Sequence, residues 1–109
     1  MTTPEGKVKA LVREVCAEYG ASIDCWMPVP AGYGESRLDF HICYRGRYIA
    51  VETKAPGRKP TDRQRRNIAR LERAGAKVFV IDSAEGAEQL RTYLARLTLV
   101  GGLFGEVGL

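Results

Sequence analysis

Two β-rich runs, residues 37–44 and 47–54, are separated only by Arg45-Gly46. So short a gap predicts an antiparallel hairpin, with glycine where the turn most needs a positive φ. The turn also decides which residues meet. With Tyr44 opposite Arg47, residue 43 faces 48, 41 faces 50 and 39 faces 52. Strand residues two apart share a face, so Glu52 and Lys54 point the same way, and Asp39 lies across from Glu52 on that face. Opposed residues have Cβ atoms about 4.5–5.5 Å apart. A bulge at the turn would slip the pairing by one and separate the two acids.

The rest of the chain supplies helices around this hairpin. Thr3-Pro4 is a helix start, and Val8, Leu11, Val12, Val15, Cys16 and Tyr19 form one apolar face up to Gly20, which predicts a helix over about 4–19. Ile23, Cys25, Met27 and Val29 alternate with other residues, which predicts a strand from Ser22 that the Pro28–Pro30 pair stops. Residues 30–36 and 55–60, rich in glycine and proline, are loops. Thr61-Asp62-Arg63-Gln64 matches a capping box, so a second helix runs from there to Gly75. It leads to a short apolar strand, Lys77 to Ile81, placed parallel to its neighbour by the helical crossover. Ser83 caps a last helix with Ala87, Leu90, Leu94 and Leu97 on one face. The order is α-β-β-β-α-β-α, an α/β protein with a mixed β-sheet flanked by helices. Residues 1–97 read as a single domain. Residues 98–109 read as a Gly-rich apolar tail, either frayed or docked on another subunit.

Composition narrows the class. A chain of 109 residues is one domain, because two cores of about 55 residues each would be near the limit for unaided folding. With 45% hydrophobic and 28% charged residues, bulk disorder is excluded. No apolar run approaches the ~20 residues that span a bilayer, and no apolar stretch follows the N-terminus as in a secretory signal. Three cysteines at wide spacing argue against a disulfide framework or zinc knuckle and for a reducing cytoplasm. A single histidine makes a His-based metal site hard to build. The net charge of +4 permits a polyanionic partner.

The chemistry lies in the hairpin and the segment after it. Carboxylates facing each other at Cβ range repel by roughly 3 kcal/mol at an effective dielectric near 20. A domain of this size has only about 5–15 kcal/mol of net stability. Lys54 relieves part of that, and a hard divalent cation relieves more, since Mg²⁺ is held by carboxylates, water and phosphate oxygens. A lysine beside such an ion can orient or deprotonate an attacking water and stabilise a pentacovalent phosphate. The plainer alternative is a solvated sheet face. Against it stand the flanking helices and the basic segment that follows.

On the second helix, Gln64, Ile68 and Leu71 share the core-facing side, while Arg63, Arg66, Arg70 and Arg73 cluster opposite, with Arg65 at the flank. Arg58 and Lys59 precede them. Such a stripe suits a phosphate backbone, or else is the solvated face of a basic protein. Gln64 is either the capping-box partner of Thr61 or an amide reaching the acids. Glu5 either complements the helix dipole or overhangs the sheet near Asp39. His41 and the cysteines are read as packed side chains. Trp26 and Tyr33 are candidates to stack on bases, with packing the commoner fate.

These residues, in order, resemble the PD-(D/E)xK nuclease superfamily and, within it, the small standalone form of the virus-type replication-repair nuclease (VRR-NUC) family. The matching elements are Gly34-Glu35-Ser36-Arg37-Leu38-Asp39, Gly46-Arg47 through Val51-Glu52-Thr53-Lys54, Thr61-Asp62-Arg63-Gln64, and Ala74-Gly75-Ala76-Lys77 with its strand. Leu38 stands where the superfamily name expects proline. The resemblance implies a restriction-endonuclease-like fold. It implies Mg²⁺, with Mn²⁺ as substitute, ligated by Asp39, Glu52 and the Thr53 backbone carbonyl, with Glu5 matching a first-helix acid of many relatives. Lys54 would then be the catalytic lysine and Gln64 would assist, while Arg58, Lys59, Arg63, Arg66, Arg70 and Arg73 grip DNA. The expected activity is endonucleolytic cleavage of branched DNA such as Holliday junctions by a homodimer, in replication, repair or recombination. The setting expected is the cytoplasm of a bacterial or phage-infected cell, with no membrane and no organic cofactor. The alternatives are a catalytically silent DNA-binding or assembly module on the same fold and, more weakly, an RNA substrate.

Overall fold

The computed structural model describes residues 2–29 and 37–104. The expected loop at 30–36, with Tyr33 and the Gly34-Glu35-Ser36 motif, and the tail end at 105–109 lie outside the described residues.

The first helix, α1 (Pro4–Ala17), begins where Thr3 accepts a hydrogen bond from the Gly6 N–H at 3.0 Å. It buries Val8, Val12, Val15 and Cys16. It stops short of residue 19, and a 3₁₀ turn follows over Gly20–Ser22, where the Ser22 hydroxyl donates to the Tyr19 carbonyl at 2.6 Å. That turn takes up the start of the expected second element. Pro28, which has no N–H to donate, stands just beyond its end. Strand β1 (Asp24–Trp26) is therefore only three residues long.

Strands β2 (Phe40–Tyr44) and β3 (Arg47–Thr53) pair antiparallel in the counted register, from Tyr44↔Arg47 through His41↔Ala50 to Phe40↔Val51. Both turn residues have positive φ, 53° at Arg45 and 77° at Gly46, as a two-residue hairpin of matched twist requires. β2 starts later than residue 37, because Asp39 lies in a bend. A capping box then starts α2 (Asp62–Arg73), which leads into β4 (Lys77–Ile81), parallel to β3. The sheet order is β1-β2-β3-β4.

The last helix, α3 (Ala84–Phe104), is capped by Ser83, which accepts from the Gly86 N–H at 3.2 Å. It continues well into the segment read as a tail. Thr98 is held there by two bonds, donating to the Leu94 carbonyl at 2.9 Å and meeting the Tyr44 hydroxyl at 2.6 Å. A side-chain tie to β2 thus extends the helix past the point where apolar periodicity faded.

One sheet face carries the core. Phe40, Ile42, Ile49, Val51 and Ile81 pack against Val8, Val12 and Val15 of α1 and Ala87, Leu90 and Leu94 of α3. The opposite face bears Trp26, His41, Cys43, Tyr48, Ala50 and Glu52 by the strand register. There α2 packs on β4, and its apolar Ile68 and Leu71 are only half-buried. The open face is therefore thinly covered toward β1.

Candidate active site

Asp39 sits one step beyond the last paired residues, where register alone would place it opposite Glu52. Its carboxylate is pinned: Oδ2 accepts from the Thr53 N–H at 2.8 Å and from the Thr53 hydroxyl at 2.6 Å. The second oxygen, Oδ1, lies 3.9 Å from Lys9 Nζ. Lys9 in turn holds Glu5 at 3.3 Å, one helical turn away on α1.

Glu52 is buried, with 2% of its surface exposed. Burial, then the Asp39 charge and a hydrogen bond shared with it, push the Glu52 carboxyl up to about 8, against a smaller downward pull from Lys54. Lys54 Nζ is 4.0 Å from Oε2, while Oε1 is buried and accepts no hydrogen bond. The Lys54 backbone is fixed by donation to the Ile81 carbonyl at 2.9 Å. Beside these groups opens a cleft lined by Glu5, Lys54, Ala55, Arg58, Lys59 and Thr61.

The structure thus brings together Asp39, Glu52, Thr53 and Lys54, with Glu5 at the cleft wall and Arg58 and Lys59 at its mouth. Gln64 stands apart in its role. Its amide oxygen accepts from the Thr61 N–H at 2.9 Å while the Thr61 hydroxyl accepts from the Gln64 N–H at 3.2 Å, so it closes the capping box at the start of α2. Arg63, Arg66, Arg70 and Arg73 are exposed along the outer side of α2. Arg70 bonds Asn67, and Arg65 pairs with Asp62. His41 is packed, as expected, against Trp26 and Tyr48. Two members of the cluster escaped the sequence reading. Lys9 had a signal, its i,i+4 spacing from Glu5. The Thr53 hydroxyl had none, because strand alternation aims it at the opposite face, and only the bend at Asp39 brings the carboxylate to it.

The fit of a divalent ion is tested by the oxygens left over. Three carboxylates face two ammonium groups, and the most buried acid keeps an oxygen without a partner beside a second carboxylate. Carboxylate oxygen donors of this kind suit Mg²⁺ or Mn²⁺. Among the described residues no group of three or more His, Cys, Asp or Glu side chains is arranged to hold an ion. Side chains thus supply at most two ligands, which is ordinary for Mg²⁺ bound with water and phosphate oxygens.

Fold and site together define an α/β domain of the nuclease type, with paired acids and a lysine at the end of a hairpin. Comparison with known proteins sharpens this. A solved structure described as a "VRR_NUC domain" superposes with a TM-score of 0.71 at 27% identity, over 82% of this chain and 95% of that one. "Putative nuclease p44" of Acyrthosiphon pisum secondary endosymbiont phage 1 is 52% identical over 40 residues, which are 37% of this chain and 43% of that protein. No family-level sequence profile matches. The chain is thus similar in fold to a VRR-NUC domain and, over part of its length, in sequence to a phage nuclease.

Proposed function

We propose that this protein is a Mg²⁺- or Mn²⁺-dependent endonuclease that hydrolyses phosphodiester bonds in DNA, with branched or structured DNA as its substrate. The observation that carries this is the buried Glu52, unpartnered at Oε1 and flanked by Asp39 and Lys54 beside a basic cleft. Asp39, Glu52 and the Thr53 carbonyl would hold the ion, with Glu5 a further acid within reach of the cleft. When bound, such an ion lowers the pKa of water and offsets charge growing on the phosphate. Thr53 and Lys9 keep the Asp39 carboxylate oriented. Lys54 positions the attacking water and donates to the phosphate oxygens as negative charge builds there. Arg58 and Lys59 at the cleft, and Arg63, Arg66, Arg70 and Arg73 on α2, hold the backbone by charge. Gln64 assists by fixing the start of α2, and with it Thr61 at the cleft.

Assembly as a homodimer is part of this reading, supported by Leu99 and Val100, exposed at 74% and 44% on the last turns of α3. The phage relative supports action in the cytoplasm of a bacterial or phage-infected cell. Among the described residues no helix is long and apolar enough to cross a membrane.

The test is a cleavage panel of junction, flap and linear DNA, with Mg²⁺, Mn²⁺ or chelator. Glu52→Ala and Lys54→Ala are expected to abolish cutting while DNA binding persists. Metal-dependent cutting retained by a clean Lys54→Ala preparation overturns the assignment. The ion-pair chain Glu5–Lys9–Asp39, which balances the acids with protein cations, favours a second reading: a silent DNA-binding module. Binding without cutting under every metal would establish it.

A further inference from the structure

Three aromatic rings form a row across the open face of the sheet. Trp26 on β1 stacks on His41 of β2, with centroids 5.5 Å apart and planes 21° from parallel. His41 meets Tyr48 of β3 at 5.6 Å and is bonded through Nδ1 to its hydroxyl. His41 is 5% exposed and its Nε2 has no partner, whereas Trp26 and Tyr48 are 45% and 37% exposed. Burial, then the nearby Arg37 charge, holds the His41 pKa below its usual value. Arg37 also lies close enough to Tyr48 for its charge to act on the phenol. Large rings half in water beside a guanidinium, on a face that α2 leaves bare, form a surface shaped for a partner.

The row shares its face with the acids. His41 opposes Ala50, and Glu52 is the next residue on that side of β3. Two residues along a strand are about 7 Å. Trp26, opposite His41 on β1, lies two strands across from β3, about 10 Å, so it stands about 12 Å from the acid, roughly two nucleotide steps of an extended strand. Charge selects the occupant. The Arg37 guanidinium at the rings and the net charge of +4 favour a polyanion, whose phosphates compensate them, over an uncharged surface. We infer that Trp26, braced by His41 and Tyr48, is a stacking platform for an unpaired nucleobase about two nucleotides from the scissile phosphate. This rests on the proposed nuclease reading and adds how the site selects structured DNA. Paired bases keep their faces in the helix stack, whereas flaps, forks and junction arms can offer one.

Trp26 is the chain's one tryptophan, so emission excited selectively at the indole, beyond the absorption of the tyrosines, reports on this platform alone. The experiment uses the Glu52→Gln protein in chelator, so that nothing is cut. The probe is oligothymidine about 12 nucleotides long, within the span one single-strand-binding fold covers. Emission is expected to fall on saturation with the single strand and to stay unchanged with the same strand paired to oligoadenosine. Trp26→Ala should weaken single-strand binding about ten-fold, with Trp26→Tyr restoring it. Unchanged emission, while anisotropy of a labelled strand shows saturation, overturns the platform. So does an emission shift with protein concentration alone, which would place Trp26 between copies. Quenching without cleavage in the wild type would remove the nuclease reading and leave the platform standing. Cleavage without quenching would do the reverse.

Discussion

Glu52 shows how one residue couples folding to chemistry. Burial raises its pKa to about 8, with Asp39 adding to the rise and Lys54 opposing it. An unfolded glutamate titrates near 4.3, so between that pH and about 8 the folded chain holds a proton that the unfolded chain has lost. The resulting stability is fully present below the unfolded value and is lost as pH rises through the folded one. In chelator, the melting temperature of wild type should therefore fall, relative to Glu52→Gln, between pH 5 and pH 8. His41, whose pKa is lowered, acts with the opposite sign below its ordinary value and is common to both proteins, so the difference isolates Glu52. Equal pH profiles would refute the buried-acid account. Thr53 makes a second residue-scale case. Thr53→Val removes the 2.6 Å hydroxyl bond to Asp39 in a buried setting and should cost about 1–3 kcal/mol by denaturant melts, with a loss of cleavage that Thr53→Ser restores. Glu52 and Lys54 were legible from strand alternation. The Thr53 hydroxyl was not, because its partner reaches it only through a bend.

Among the elements, the hairpin was the most legible, because two residues at a turn leave one pairing that buries the Phe40, Ile42, Ile49 and Val51 face. α2 was legible at its start for a similar reason: the capping box is a local signal satisfied by local bonds. That dual engagement bears on Gln64. Gln64→Ala should cost about 0.5–2 kcal/mol, read by thermal melts, whereas Gln64→Glu keeps the cap and should keep cleavage within a few-fold. A large loss of cleavage in a fully stable Gln64→Glu protein would instead place the amide in the chemistry. β1 was overestimated because alternation carries no information about where a 3₁₀ turn ends or where a ladder stops. α3 was underestimated because the Thr98–Tyr44 bond joins residues 54 apart, and no local pattern reports it.

The whole molecule is one-sided. α1 and α3 close a core on one face, while the other carries the acids, the aromatic row and the thin cover of α2. The exposed Leu99 and Val100 give the core side its own outlet. If they join two copies, the paired change Leu99→Asp and Val100→Asp should halve the mass in solution by light scattering while leaving the melting temperature of the monomer unit near wild type. An unchanged mass would locate any interface elsewhere. What the amino-acid order determined unaided is whatever neighbouring residues decide among themselves: the hairpin and its register, the caps of three helices, the face shared by Glu52 and Lys54, and the basic stripe of α2. Tertiary structure decided the rest. Only packing sets how deeply Glu52 is buried and hence its proton affinity, which oxygen of Asp39 is tied to Thr53 and which is left toward Lys9, and how far α3 runs. Those quantities depend on groups far apart in the chain meeting in a low-dielectric interior, where the spacing of residues along the sequence no longer measures the distance between them.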